Sequence, residues 1–532
     1  MSGKRKVGSP HGAERRTLGG KIMSPSTLDM AFRVYPWILA GLYLAYMGYI
    51  TLRYHTVGGM GVETDFYAEL YPQARKLLTG EFSPLNYGAK GPVYSLLLAG
   101  MYMFVRDYFR AGLVLNLLSG TVFLLILYHL VKRLFDRWTA ALSLLAVALN
   151  YMFLSYTTQA ASDLPFMAVS ILSLYFLFRN GGLRDLVLAA AFGLLAFLTR
   201  YNGAFIIAGT TVFLILEPRP VRERLTRLGI WFAVFIALGL PWFIPNAIAT
   251  GSPVHNDNYM NVMLEFYALG KGASYENWQQ AMPKDFTGLG DIIAYDPVYF
   301  VSHLAKNVFR HFMADMAQLV GWSLGVFVIA GLVGIFRTRP LRLRLIYVFF
   351  GFVYFMILTL VFFNARFSLF LLTMYPVLAV AVWSKDSVGR FLGRFRYAAL
   401  VIIAVVIVVT GMSGIVRVNG EVRNVPYFLK DLGEGIAATV SSHDQVIIAR
   451  KPHTSYYAGL TPSMFPGDVS TVGELVDYCR KNGIDYILYS VVEAQYRPQV
   501  RDLLTIDRDF TGLERVYYNR YGVVYRVLPV SD

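Results

Sequence analysis

The chain has 532 residues, of which 56% are hydrophobic and only 16% are charged, and its mean hydropathy is +0.47. A soluble protein carries about a quarter charged residues, and here the apolar residues form blocks as long as a bilayer is thick, which excludes an ordinary soluble protein. The net charge of +15 lies mainly in short links between these blocks, so it indicates membrane topology and not nucleic-acid binding, and the lone Cys479 excludes an intrachain disulfide.

The apolar blocks predict about 11 transmembrane spans, preceded by a disordered, basic cytoplasmic tail over residues 1–33. The shorter block Val93–Val105 follows Gly91-Pro92, and we expect a helix lying along the interface, because every basic link then falls on the cytoplasmic side with the N-terminus. The predicted spans lie near residues 34–52, 110–131, 138–156, 163–179, 184–200, 203–217, 228–248, 317–336, 343–363, 367–383 and 397–416.

With this topology, three segments lie on the outer side of the membrane. Two are outer loops of a transmembrane domain over residues 34–417, at about 53–109 and 250–315, and the third is an extracytoplasmic domain over 418–532. The third segment alternates β-rich runs with helical patterns, which predicts a small α/β domain. The β-rich runs are Gln445–Ala449, Ile484–Tyr489 and Val523–Leu528, and the helical patterns are Pro426–Ala438 and Val472–Arg480.

Candidate acids lie at the outer ends of spans. Glu63 and Asp65 belong to the run Gly61–Tyr67, where a carboxylate can act as general base on a hydroxyl, the alternative being a solvated loop acid. Tyr67 of the same run is a further site candidate. Asp163 begins a span from outside, and the alternative is that Ser162 or Asp163 simply caps the helix.

Candidate cations lie at the same level. Arg200 and Arg366 stand in short outer turns, which the positive-inside rule disfavours, and an anionic lipid phosphate would offset that bias. The alternative is an ion pair with Asp65 or Asp163, or contact with ordinary headgroups. Lys90 precedes the interfacial helix and either meets a phosphate or anchors the helix by snorkelling.

The second outer loop carries His255, Asp257 and Asn258, whose groups can bind a divalent metal. Their spacing fits no specific ligand pattern, so a polar turn is the better interpretation. A metal requirement stays open at this point.

The order of these features resembles the GT-C membrane glycosyltransferases. The nearest branch holds the protein O-mannosyltransferases and the aminoarabinose transferase that modifies lipid A. The similar features are the acidic outer loop, Lys90-Gly91-Pro92, Val131-Lys132-Arg133-Leu134-Phe135, and Ala161-Ser162-Asp163-Leu164-Pro165. The resemblance covers about residues 34–216 and implies that residues 34–417 form the catalytic domain.

The resemblance implies an inverting transfer of a sugar from a polyprenyl-phosphate carrier to an envelope lipid, glycan or protein, at a bacterial cytoplasmic membrane. By match, Asp65 is the catalytic acid, Lys90 holds the lipid phosphate, and Asp163 is the acid of a second outer loop. Glu63 stays an alternative base, because Thr64 separates two acids that the family has side by side.

Two further departures concern neighbours of Lys90. Gly91 replaces a proline, and Ala89 replaces a glutamate associated with metal in the lipid A enzyme, which leaves a divalent metal in doubt. Arg200 and Arg366 would join Lys90 in stabilising the departing phosphate.

Two other classes of function are alternatives. One is a transporter or flippase of lipid-linked sugars, which would show inverted repeats and broken helices; the sequence indicates neither. The other is a non-catalytic receptor for envelope glycans, with the C-terminal domain as its binding module.

Overall fold

A computed structural model describes residues 25–269, 286–337, 341–381, 383, 393, 395–440, 445–467 and 469–529. Most of the predicted N-terminal tail lies outside the described residues. The chain is mostly helical up to residue 421 and ends in a mixed α/β unit. The helices of the first part are Pro25–Tyr54, Tyr71–Thr79, Val93–Val105, Tyr108–Leu134, Arg137–Ala148, Tyr151–Thr157, Asp163–Arg179, Leu183–Thr199, Ala204–Ile215, Val221–Thr250, Tyr259–Met263, Leu289–Tyr295, Pro297–Ala314, Trp322–Gly334, Leu341–Leu358, Tyr375–Ala381 and Phe395–Glu421.

Short π or 3-10 turns connect several of these helices. They are Phe66–Leu70, Pro84–Tyr87, Tyr201–Gly203, Leu264–Ala268, Asp315–Leu319, Ile335–Arg337 and Phe367–Thr373. The first, third and last of these turns begin directly after Asp65, Arg200 and Arg366, so each of these candidate residues lies at a break between regular segments.

Four helices in the described part of the chain are long and apolar enough to cross a bilayer on their own, as a multi-pass membrane protein requires. They are Tyr108–Leu134, Val221–Thr250, Leu341–Leu358 and the part Tyr397–Glu421 of the last long helix. The predicted span 34–52 lies in the 30-residue helix Pro25–Tyr54, which is not among these four, and the other predicted spans coincide with shorter or interrupted helices. The number of spans therefore stays a prediction.

The predicted span 138–156 is not one continuous helix. Its two halves, Arg137–Ala148 and Tyr151–Thr157, meet at an angle of 58°. Asn150 lies at the break, where its side-chain Oδ1 accepts a hydrogen bond from Phe153 N and its side-chain Nδ2 donates one to Leu319 O. The sequence-based expectation of unbroken helices is therefore wrong here.

The block Val93–Val105 is a helix of 13 residues. At 1.5 Å per residue it is only about 20 Å long, too short to cross a bilayer upright. Its length agrees with the predicted interfacial placement.

The C-terminal unit contains a five-stranded mixed sheet, as the predicted α/β domain requires. The strands are β1 Val446–Ala449, β2 Thr461–Met464, β3 Tyr486–Ser490, β4 Leu513–Asn519 and β5 Gly522–Val527, in the order β2-β1-β3-β5-β4. β1 is parallel to β2 and β3, and β5 is antiparallel to β3 and β4. The helices are Tyr427–Ala437, His453–Ala458, Val472–Lys481 and Val491–Tyr496, with a 3-10 segment at Pro498–Leu504.

The sequence patterns located β1, β3, β5 and both longer helices to within two residues. They missed β2 and β4, which are the two edges of the sheet. Edge strands face solvent, so they lack the continuous apolar run of a buried strand, and β2 even contains Pro462, which a central strand would exclude.

Candidate active site

The acidic loop, residues 55–70, lies between the first helix and Tyr71–Thr79. Its Glu63 is buried, with 1% of the residue exposed. The carboxylate accepts hydrogen bonds from Gly59 N at 2.6 Å and Ala160 N at 2.7 Å, and it lies 2.8 Å from His55 Nε2. Because its oxygens are occupied inside the protein, Glu63 fastens the loop and does not face a substrate.

Asp65 has the opposite environment, since 36% of its side chain is exposed. Its Oδ2 lies 3.2 Å from Lys90 Nζ and 3.1 Å from Arg366 Nη1. Partial burial raises the pKa of the Asp65 carboxyl, but the positive charges of Lys90 and Arg366 outweigh that effect and hold the pKa below its ordinary value. Asp65 is therefore ionised and able to accept a proton.

Glu69 joins this group, although the sequence analysis did not select it. Its Oε2 lies 3.0 Å from Lys90 Nζ, so two carboxylates share one ammonium group. The signal in the sequence was its position four residues after Asp65, which places both side chains on one face of a helical turn.

Asp163 links the two arginines in the interior of the cluster. Its Oδ1 accepts a hydrogen bond from Arg200 Nη1 at 2.6 Å, and its Oδ2 accepts one from Arg366 Nε at 2.9 Å. Ser162 makes no side-chain capping bond to the helix. Both carboxylate oxygens of Asp163 are engaged by arginines, so Asp163 serves mainly as their counter-ion. The predicted alternative, ion pairs of Arg200 and Arg366 with these acids, is present in the structure.

The result is an ion-pair cluster in the order Lys90, Asp65, Arg366, Asp163 and Arg200. With Glu69 the three cations balance three acids. Arg366 Nη2 is buried and makes no hydrogen bond among the described residues. An arginine donor left open in this way can bind an additional anion.

Gly88 and Gly91, on either side of Lys90, allow the backbone to pack closely against neighbouring segments. A Cβ on Gly88 would lie 1.9 Å from an Asp257 carboxylate oxygen, and a Cβ on Gly91 would lie 2.2 Å from Leu198 O. The second loop also holds this backbone, because Asp257 N donates to Gly88 O at 2.8 Å. Lys90 is thus held between the second loop and the end of the helix that leads to Arg200.

Besides Glu63, two predicted site residues lie outside the cluster. The Tyr67 hydroxyl accepts a hydrogen bond from Gly58 N and lies 3.3 Å from the Tyr457 hydroxyl, so it belongs to the contact with the C-terminal unit. His255 lies 3.5 Å from Asp257 and lines a cavity of about 510 Å³. No group of three potential metal ligands occurs in the part of the chain that the structure describes.

The fold resembles that of known membrane glycosyltransferases. ArnT from Cupriavidus metallidurans bound to undecaprenyl phosphate is 14% identical, with a TM-score of 0.56 over 94% of this chain and 98% of that chain. The oligosaccharyltransferase AglB from Archaeoglobus fulgidus, in complex with an inhibitory peptide and a dolichol-phosphate, is 12% identical, with a TM-score of 0.52 over 86% of this chain and 70% of that chain. These likenesses show the fold. No curated protein sequence matches the chain.

Residues 89–248 match the PMT_2 family, described as dolichyl-phosphate-mannose-protein mannosyltransferase. This stretch is less than a third of the chain, and over it the sequence is similar to that family of GT-C glycosyltransferases. The resemblance inferred from the sequence motifs is confirmed, and the chain is a multi-pass membrane enzyme. The PMT_2 match contains Lys90, Asp163 and Arg200, while Asp65 and Arg366 lie outside it.

Proposed function

We propose that this protein is an inverting glycosyltransferase that moves a sugar from a polyprenyl-phosphate carrier to a hydroxyl group of an envelope lipid, glycan or protein. The observation that carries the proposal is the environment of Asp65, an ionised and partly exposed carboxylate shared by Lys90 and Arg366. A proton acceptor thus lies beside cations that suit a phosphate leaving group.

The transfer follows from this arrangement. Asp65 accepts the proton of the acceptor hydroxyl while the hydroxyl oxygen attacks the anomeric carbon. The bond from that carbon to the carrier phosphate breaks, and the electron pair leaves with the phosphate. Lys90 and Arg366 stabilise the additional negative charge, which is an electrostatic contribution of about 3 kcal/mol per donor in comparable sites. One base is sufficient, because no covalent sugar–enzyme intermediate is required.

Two cavities beside the cluster support a two-substrate reaction. The cavity of about 510 Å³ is lined by Asn258, whose amide donates to the carbonyl oxygen of Ala89, next to Lys90. A second cavity of about 760 Å³ is lined by Asn364 and Ala365, next to Arg366. Each cavity thus adjoins the cluster through a residue next to Lys90 or Arg366, and this arrangement suits one cavity for the donor and the other for the acceptor.

The proposed organisation keeps the predicted boundaries and sidedness. Residues 34–417 form the transmembrane catalytic domain, residues 418–532 form an extracytoplasmic domain, and the N-terminus is cytoplasmic. The host membrane is a bacterial cytoplasmic membrane. The lipid phosphates bound by ArnT and AglB support an undecaprenyl-type donor.

Release of the carrier tests the proposal. Purified protein in lipid nanodiscs is given a panel of undecaprenyl-phosphate monosaccharides with a membrane extract as acceptor, and free undecaprenyl phosphate is measured. We expect release with at least one donor, dependent on the acceptor and lost in Asp65→Asn. Transport of an intact donor across liposomes would favour a flippase, and binding without release would favour a glycan receptor; either result contradicts the proposal.

A further inference from the structure

The acidic loop is held from two sides. On one side, Glu63 accepts a hydrogen bond from Ala160 N and so ties the loop to the segment before the helix Asp163–Arg179. On the opposite side it meets the docking segment, residues 451–458 of the C-terminal unit, which comprises Lys451, Pro452 and the helix His453–Ala458. Most of the loop before Phe66 has no regular secondary structure, so these contacts fix its backbone.

The polar contacts of the docking segment reach the residues just before Asp65. Lys451 Nζ donates to Met60 O at 2.6 Å and to Thr64 Oγ1 at 3.3 Å. His453 Nε2 donates to Gly59 O at 3.2 Å. Because a carbonyl oxygen only accepts, the His453 ring must carry its proton on Nε2.

Aromatic contacts reach the residues just after Asp65. The ring centroid of Tyr67 lies 4.2 Å from that of His453 and 5.1 Å from that of Tyr456. Tyr71 packs edge-on against Tyr456 at 4.7 Å. The docking segment therefore contacts the chain on both sides of Asp65 without touching the ion-pair cluster itself.

We propose that Lys451 and His453 are positioning residues for Asp65, so that the C-terminal unit completes the active site instead of acting as a separate binding module. This inference rests on the proposed function, in which Asp65 is the base. Displacement of a reacting group by about 1 Å can cost roughly 100-fold in rate. The part of the loop before Thr64 has no helix or strand, so it permits that displacement once its tether is removed.

Lys451 offers a sharp test, because it is only partly buried and its replacement leaves the core intact. Lys451→Met removes the ammonium and keeps the aliphatic stem, and Lys451→Arg restores a cationic donor. Lys481→Met makes the same change at an exposed site of the same unit and is the matched control. Three quantities are measured: kcat with the active donor of the panel, Kd for undecaprenyl phosphate, and the thermal midpoint.

We expect Lys451→Met to lower kcat roughly 10- to 100-fold while Kd for undecaprenyl phosphate and the thermal midpoint stay unchanged. Lys451→Arg should recover most of the rate, and Lys481→Met should behave as wild type. An unchanged kcat in Lys451→Met, or a loss fully explained by a lower midpoint, would overturn the inference while wild-type turnover upholds the proposed function. Absence of turnover in the wild type would instead overturn both.

Discussion

Asp65 Oδ2 lies 3.1 Å from Arg366 Nη1, although the two residues are 301 positions apart in the chain. This ion pair joins the loop after the first helix to the 3-10 turn that starts at Phe367. Arg366 also binds the buried Asp163, so the same guanidinium holds one interior acid and one accessible acid. The accessible acid is the one free to exchange its partner when a phosphate arrives.

The first prediction separates Asp65 from Glu63. Asp65→Asn keeps the size of the side chain but removes its proton-accepting capacity, so we expect kcat to fall about 100- to 10,000-fold with little change in thermal stability. Glu63→Gln puts an amide group among donors that need a buried carboxylate, which should cost roughly 1–3 kcal/mol of folding free energy. Turnover and thermal unfolding of both variants are measured side by side.

Two results would contradict the assignment of Asp65 as the base. Full activity in Asp65→Asn, with loss of activity in a stably folded Glu63→Gln, would transfer the role of base to Glu63 and contradict the geometry. Full activity in both variants would remove the acidic loop from the mechanism altogether.

The second prediction concerns the donor phosphate. Lys90→Ala and Arg200→Ala should each weaken binding of undecaprenyl phosphate, by about 10-fold or more for Lys90, because a hydrogen bond to a charged group is worth roughly 1.5–3 kcal/mol. The effect of Arg200 should be smaller, since Asp163 and Ser162 already engage its Nη1. Lys76→Ala, at an exposed site of the helix after the acidic loop, is the control. Equal affinity in all three variants would leave Lys90 as a membrane anchor only.

The sequence could locate these charged residues because each lies at the end of an apolar block, where topology makes charge conspicuous. It could not show that Asp65, Lys90, Asp163, Arg200 and Arg366 meet, since that depends on helix packing across the whole chain. Glu69 was missed because it is a single acid within the helical turn Phe66–Leu70, where the sequence alone does not distinguish it from a solvated side chain.

Burial distinguishes the roles of Glu63 and Asp65. Glu63 is buried and Asp65 is partly exposed, and no sequence pattern reports that difference. The sequence patterns did not predict the edge strands β2 and β4 for a related reason, because exposure to solvent removes the continuous apolar run that marks a buried strand.

The third prediction uses the close approach of Gly91 to Leu198 O. Gly91→Ala should displace Lys90 and reduce donor affinity, because the new Cβ would meet a backbone atom that cannot move aside. Gly100→Ala lies in the adjoining helix with no atom within 4 Å of its new Cβ, so it should leave binding and activity intact. Undecaprenyl phosphate titrations of the two variants give the comparison, and equal affinities would show that the Lys90 segment is not held as the structure indicates.

The fourth prediction concerns pH and the docking segment. Burial lowers the pKa of His453 from 6.5 to about 4. The undocked imidazole therefore takes up a proton at a higher pH than the docked one, so docking should be constant above about pH 6.5 and weaken progressively as the pH falls toward 4. Glu63 and Lys451 are the charged groups whose fields act on this ring.

Hydrogen exchange of residues 57–64, corrected for intrinsic rates, measures this docking. His453→Gln is the control, because its amide can still donate to Gly59 O but does not titrate. Protection that falls with pH in the wild type and not in the variant supports the assignment. The same decline in both would place the sensitivity in another group.

The last prediction tests which side of the membrane carries the active site. The docking contacts put the acidic loop and the C-terminal unit on the same side, and the one-sided basic links predict that this side is extracytoplasmic.

Thiol labelling can test this, because the native Cys479 should not react: it is fully buried, and burial raises its pKa to about 12. Lys481→Cys and Arg222→Cys each add one exposed thiol, on the C-terminal unit and at a basic link respectively. With a membrane-impermeant maleimide on intact spheroplasts, we expect the first to react at once and the second only after permeabilisation. The reverse pattern would place Asp65 in the cytoplasm and contradict transfer at the outer face.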